Sequence, residues 1–264
     1  MRSSMSVSWT IALDNEYQQL RSALQTGLAS VEKLPARRAA RAAFSPELSY
    51  GRHFGPPAPS ARQAAVIAMI EPRDGQWTLP VTVRPDHLPD HPGQISLPGG
   101  RLEAGESHQR AAQREFCEEL GCQVDADLIV GELSPLYVYH SDYYVRSFVA
   151  ISPRLYDYTP CPREVSRVLH VPLATLSSCV CIPAERQEFA RGLAVWSAPT
   201  IQDGEATIWG ATAIILAELS AILPPIDRWM STTCSNSQKQ AKTVTAQLKP
   251  KLDYARYRLA KPRR

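Results

Sequence analysis

Apolar positions fall into three regimes along the chain. Over about 14–31, Tyr17, Leu20, Leu24, Leu28 and Val31 recur at helical spacing, which predicts an amphipathic helix. "ARRAARAAF" (36–44) predicts a second, shorter one, and the Pro/Gly-rich "HFGPPAPSA" (53–61) predicts a linker. The pattern then changes to strands. "QAAVIAMI" (63–70) and "QWTLPVTVR" (76–84) flank Asp74-Gly75, a hairpin signal, with Pro80 marking an edge or bulge in the second strand. A loop, "HPGQISLPGGRLEAGE" (91–106), leads into a helix at 107–120 that Gly121 stops. Strands are expected at 127–140, 143–152 and 193–202, and a strand running into a short helix at 164–176. A last helix over about 207–223 carries Trp209, Thr212, Leu216, Leu219 and Leu223 on one face. Strands and helices alternate without a repeat, which predicts one α/β or α+β domain over 59–225. Residues 1–58 are then a helical extension with its linker, and 226–264 a flexible tail poor in apolar residues.

Charge sharpens this division. Residues 225–264 hold ten Lys/Arg against two Asp/Glu, a net of +8, whereas the rest carries −5. The terminal "KPRR" could touch RNA, membrane or an acidic partner, or be a solvated tail. No apolar run reaches the roughly 18 residues of a membrane span. The N-terminus lacks the apolar core of a signal peptide, so a cytoplasmic protein is expected. Six Cys (117, 122, 161, 179, 181 and 234) form no CxxC, and no His stands at zinc-like spacing from them. Free thiols in a reducing compartment are expected, with Cys179 and Cys181 as small strand residues rather than a metal clip.

The helix at 107–120 carries the candidate chemistry. At 100° per residue, Glu115, Glu118 and Glu119 fall within an arc of about 100°, next to an apolar stripe of Ala112, Phe116 and Leu120. Three adjacent carboxylates suit a solvated face laced with salt bridges, or a hard cation such as Mg²⁺ or Mn²⁺. In the preceding loop, Pro98-Gly99-Gly100 permits a tight bend and leaves backbone bare beside a ligand, where a glycine carbonyl would add another oxygen. Glu106, eight residues before Arg114, would fasten loop to helix by an ion pair.

These residues also match a family pattern. Gly100, five residues, Glu106, seven residues and "REFCEELGC" (114–122) resemble the Nudix box, Gly-x5-Glu-x7-Arg-Glu-U-x-Glu-Glu-x-Gly-U, with U apolar. All seven fixed positions are present at the family's spacing; Phe116 fits U, and Cys122 is a small substitute for it. Upstream, Thr82, Arg84, Gly93 and Pro98-Gly99-Gly100 resemble the motif of the family's coenzyme A pyrophosphatases. Pro85, Pro89 and Leu97 depart from it, replacing Ser/Ala, Arg and Phe. The stretches 162–176 and 207–219 also look like that subgroup.

The resemblance implies an α/β/α sandwich around a mixed sheet, and Mg²⁺- or Mn²⁺-dependent hydrolysis of a nucleoside diphosphate derivative. Coenzyme A is the favoured substrate; ADP-ribose, NADH or another dinucleotide is the alternative. It also implies the roles: Glu115 and Glu119 as principal metal ligands, Glu118 assisting, a backbone carbonyl near Gly99 as a further ligand, and Arg114 with Glu106 orienting the set. Glu115 and Glu164 compete as general base. Arg84, Gln94, Gly99 and Gly100 are candidate substrate contacts. His91 reads as a loop hydrogen-bonder, and Tyr137 and Tyr139 as core packing or base stacking. A non-catalytic nucleotide- or RNA-binding module is the reading of a different class, and the intact box argues against it; nucleic acid is not the expected partner. A homodimer is left open.

Overall fold

The computed structural model describes residues 3–45, 56–88, 93–139, 141–177, 186–188, 194–196, 201–203 and 206–224. The described residues all belong to one compact unit. The sequence expectations for Pro89, His91, Cys179, Cys181, Cys234 and the basic tail lie outside the described residues.

The chain begins with two helices, α1 (Ser3–Ala29) and α2 (Leu34–Phe44). The first ends earlier than the apolar spacing predicts: Tyr17, Leu20 and Leu24 are buried, whereas Val31 lies beyond the helix and is 75% exposed. The hairpin forms as β1 (Arg62–Arg73) and β2 (Gln76–Val83), with Arg73 opposite Gln76. Asp74 and Gly75 both take positive φ (51° and 76°), the geometry that makes a two-residue turn match the strand twist. Pairing to β1 runs only through Gln76–Thr78. At Pro80 one side of β2 is therefore a local edge, as a residue without an N–H requires.

The expected loop at 91–106 is partly sheet instead. β3 (Ile95–Ser96) pairs with β2, and β4 (Gly99–Arg101) pairs antiparallel with the start of β1. α3 (His108–Leu120) follows, with the Ser107 side chain accepting from the Arg110 N–H and Gly121 closing the far end at φ 72°. The run at 127–140 divides into β5 (Ile129–Glu132) and β6 (Leu136–Val138), both antiparallel to β7 (Tyr143–Ile151). β7 runs parallel to β1 from Arg62–Tyr143 to Ile70–Ile151, so the sheet is mixed. β8 (Arg167–Pro172) pairs with β2 and leads into α4 (Leu173–Ser177).

Two further strand pairs lie among the described residues. Of the expected strand at 193–202, the described parts are β10 (Ala194–Trp196), which pairs with β9 (Arg186–Glu188), and the start of β11 (Ile201–Asp203), which pairs with β12 (Ala206–Ile208). α5 (Gly210–Ser220) is shorter than expected and is not amphipathic: every residue from Thr212 to Leu219 is buried. Trp209 stands just before it, 38% exposed.

Side chains alternate across β1 and fill two cores, one on each face of the sheet. Ala65, Ile67 and Met69 pack with Phe148 and Ala150 of β7 against Ala111, Ala112, Phe116 and Leu120 of α3. Ala64, Ala68 and Ile70 face the other way, toward α1, α2 and α5. The result is an α/β/α sandwich in which the helical pair at the N-terminus shares the second core. A buried ion cluster ties it there. Glu218 of α5, 1% exposed, accepts from Arg37 Nε (2.9 Å), Arg41 Nη1 (2.9 Å) and the Ser134 N–H (3.0 Å). Among the described residues no helix is long and apolar enough to cross a membrane.

Candidate active site

The apolar stripe of α3 locks the helix onto β1, and this sets where its other face points. Phe116 and Leu120 have no exposed surface, and burying each contributes roughly 1.5–3 kcal/mol. The adjoining face, with Glu115 and Glu119, is thereby held against β4.

Arg114 organises the entrance. Its Nε and Nη2 donate to the two oxygens of Glu106 (3.1 and 3.0 Å), a bidentate pair that fastens the loop to the helix. Nη1 donates to Glu115 (2.9 Å) and Glu118 (3.0 Å), and Nη2 also reaches the Arg101 carbonyl (3.0 Å). Hydrogen bonding to Arg114 holds the Glu106 carboxyl below the usual range, and the same bond holds Arg114 more firmly protonated than usual. Glu118 is 53% exposed, so its pairing is a surface contact of small energetic weight.

The ladder register explains why glycines stand in β4. The Ile67 N–H donates to the Pro98 carbonyl and the Leu102 N–H to the Gln63 carbonyl, both at 3.0 Å. Ala65 and Gly100 are then a hydrogen-bonded pair, and Gly99 and Arg101 turn both backbone polar groups away from β1. A Cβ on Gly100 would lie 2.4 Å from the Glu115 carboxyl carbon, so this carboxylate rests on bare backbone. At Gly99 (φ 149°) a Cβ would lie 2.3 Å from the Ala65 carbonyl oxygen, leaving no space for a side chain.

Glu119 is the electrostatic anomaly. Its Oε2 is buried without a hydrogen-bond partner. Burial, then the neighbouring Glu115 carboxylate, push its pKa up to about 8. The Gly99 backbone and Thr82 hydroxyl offset this only in part, and Glu164 adds to it. Burial also raises Glu115; Arg114 opposes this, while Glu118 and Glu164 reinforce it. Glu164 is exposed, in the turn before β8, yet close enough for its charge to reach both box carboxylates.

This set fits a hard divalent cation. It offers an orphaned buried carboxylate oxygen, a second carboxylate that repels it, and an outward-facing backbone carbonyl at Gly99. Among the described residues no three acidic, His or Cys side chains already converge as ligands. Glu115 and Glu118 are turned onto Arg114 instead. An open groove of about 430 Å³ on the other flank of α3 is lined by Arg110, Gln113, Arg114 and Glu118 among others, but not by Glu115, Glu119 or Glu164.

The upstream candidates sit beside one another in the backbone. The Arg84 N–H donates to the Gln94 carbonyl (2.9 Å), and the Gly93 N–H to the Arg84 carbonyl (3.1 Å). Arg84 and Gln94 are half-buried. Leu97 is 3% exposed and part of the core, so its departure from the motif changes packing beneath β4. Tyr137 is buried, donates to Asp142 (2.8 Å) and meets the half-exposed Tyr139 edge-on, so of the two readings of Tyr137 the structure supports core packing and leaves no open face for a base. Cys117, Cys122 and Cys161 are free thiols.

The NUDIX domain model matches residues 61–191. The Nudix hydrolase NudL of Enterobacter sp. (strain 638) is 31% identical over 60% of this chain and 81% of its own length. Its counterpart in Escherichia coli is 34% identical over the same shares. The chain belongs to the Nudix hydrolase family. The peroxisomal coenzyme A diphosphatase NUDT7 of Mus musculus is 32% identical over 43% of this chain, which spans only 48% of that protein. Among solved structures, a MutT/nudix family protein from Enterococcus faecalis superposes with a TM-score of 0.44 at 14% identity, covering 72% of this chain and 73% of that one. The NUDIX domain of Shewanella oneidensis NrtR, solved with ADP ribose, has a TM-score of 0.38 at 17% identity, over 48% of this chain and 86% of that one. As a Nudix hydrolase the chain acts on diphosphate linkages, and the family uses divalent metals.

Sequence reasoning did not find Thr82 as a neighbour of Glu119, or the outward carbonyl of Arg101. Thr82 enters the motif only by spacing, and a backbone carbonyl leaves no mark in a sequence.

Proposed function

We propose that this Nudix hydrolase cleaves the diphosphate linkage of coenzyme A or one of its derivatives, with Mg²⁺ or Mn²⁺ held by Glu115, Glu119 and the Gly99 carbonyl and Glu118 assisting. The observation that carries the site assignment is the partnerless, buried Oε2 of Glu119 beside Glu115. Burying an unpaired carboxylate costs several kcal/mol unless a cation is its partner. When bound, the cation screens the diphosphate charge and lowers the pKa of a water.

The chain's own residues do the rest. Arg114, clamped by Glu106, holds Glu115 and Glu118 in register. Gly99 and Gly100 let diphosphate oxygens approach the backbone. Of the two candidate bases, Glu164 is favoured, because Glu115 is engaged by Arg114 and serves as a ligand. Glu164 is exposed, so it can take the proton of an attacking water and pass it to solvent. Arg84 and Gln94 emerge from paired backbone positions and contact the substrate.

Coenzyme A is supported by the retained Thr82, Arg84, Gly93 and Pro98-Gly99-Gly100 and by the likeness to the mouse diphosphatase. The burial of Leu97 weakens one of the three departures as an objection, since that residue packs in the core. Pro89 keeps ADP-ribose and NADH as the second reading, because it replaces an arginine that could meet an anionic substrate. A panel of coenzyme A, ADP-ribose and NADH, assayed with Mg²⁺ and Mn²⁺, separates these. Coenzyme A should yield an adenosine bisphosphate and phosphopantetheine, and Glu115→Gln should lower turnover at least about 100-fold. Fast ADP-ribose turnover with none of coenzyme A would sink the substrate assignment. Nucleotide binding without turnover of any of them would favour the non-catalytic module.

A further inference from the structure

Glu71 lies outside the box and takes no part in the chemistry above, yet it is fully buried at the end of β1. A buried carboxylate needs partners, and the hydrogen-bond donors to Glu71 come from the segment between β7 and β8. Its Oε2 accepts from the Tyr158 hydroxyl (2.8 Å) and the Tyr156 N–H (3.2 Å). Its Oε1 faces His170 Nδ1 of β8 at 3.5 Å and Arg73 Nε at 3.9 Å. The Tyr158 ring stacks on Tyr156 and His170 and meets Phe116 of α3 edge-on.

The same segment then grips the end of the box helix. The Thr159 N–H donates to the Leu120 carbonyl (2.9 Å), and the Cys161 N–H to the carbonyl of Glu119 itself (2.8 Å). Glu164 follows within one turn, its N–H on the Cys161 carbonyl (3.0 Å), and the Ser166 N–H docks on β2 through Val83 (2.8 Å). The exposed Glu164 therefore has its place set by backbone bonds to α3 on one side and β2 on the other. The Glu71–Tyr158 bond fixes the approach of the chain to them.

We propose that Glu71 and Tyr158 are positioning residues: their buried hydrogen bond holds the 157–164 segment on α3 so that the Glu164 carboxylate faces Glu115 and Glu119. This rests on the reading of Glu164 as general base. Tyr158→Phe removes one hydroxyl and keeps the ring contacts. Tyr137→Phe is the matched control, because it loses a Tyr–carboxylate bond of the same 2.8 Å length at a corner remote from the segment.

The experiment measures kcat and KM of the full chain with the substrate the panel identifies, together with amide hydrogen exchange over 157–165. Tyr158→Phe should lower kcat about 5- to 100-fold, the scale of a displacement of up to 1 Å, with KM within about twofold. Exchange over 157–165 should quicken. Tyr137→Phe should change neither, and in a Glu164→Gln background Tyr158→Phe should cost little more. Glu71→Gln, which keeps an acceptor for Tyr158, should lower kcat less than Tyr158→Phe does; it also serves if Tyr158→Phe does not fold. An unchanged kcat in Tyr158→Phe, an equal loss in Tyr137→Phe, or full additivity with Glu164→Gln would overturn the proposal. So would normal turnover in Glu164→Gln, which would remove its object while leaving the metal site and the hydrolysis intact.

Discussion

Replacing Glu119 by glutamine keeps the shape of the side chain and removes the charge that its surroundings tolerate least. In the metal-free protein burial and Glu115 push this carboxyl up to about 8, from 4.5 in the unstructured chain. The folded protein thus holds a proton that the unfolded chain gives up. The stability this confers is fully present below about pH 4.5 and is lost as the pH rises through 8. At about 1.36 kcal/mol per pH unit, the interval caps the loss at about 5 kcal/mol, and water penetration brings it nearer to 2–3 kcal/mol. In chelator, Glu119→Gln should match the wild-type chain at pH 5 and exceed its stability by about 2–3 kcal/mol at pH 9. Excess Mg²⁺ should reverse the order at high pH, since a ligand at about 1,000 times its Kd stabilises by about 4.1 kcal/mol and the variant lacks one of the ligands. Urea unfolding at pH 5, 7 and 9, with chelator and with Mg²⁺, measures both effects. A stability difference that does not change with pH, or equal Mg²⁺ stabilisation of the two proteins, would refute the buried-carboxylate account.

Two other substitutions probe the scaffold. Gly100→Ala should abolish most turnover at little cost in melting temperature, because its Cβ would meet the Glu115 carboxylate, which can be displaced, rather than the core. Activity close to wild type would show that Glu115 need not rest on this backbone. Glu218→Gln should cost about 3–5 kcal/mol in urea unfolding by leaving Arg37 and Arg41 buried with uncompensated charge. A loss below about 1 kcal/mol would mean that the cluster does not hold α2 to α5.

Sequence by itself determined the elements whose causes are local. The Asp74-Gly75 turn, the Gly121 stop and the Phe116–Leu120 stripe each act within a few residues, so their spacing reveals them. The ion pair between Glu106 and Arg114 was legible for the same reason, since only Ser107 separates Glu106 from the helix. The all-round burial of α5 was not: whether a helix is covered on both faces depends on what α2 and the sheet bring to it. Nor were β3 and β4, which are two and three residues long and exist only because β2 and β1 supply their hydrogen bonds. The site divides in the same way. Its carboxylates and glycines stand in the sequence. Tertiary structure decided that Glu119 Oε2 is buried without a partner, that Gly99 turns its backbone outward, and that the segment anchored on Glu71 is hydrogen-bonded to the end of α3. Desolvation and ladder register are properties of packed neighbours, and no single segment of the chain contains them.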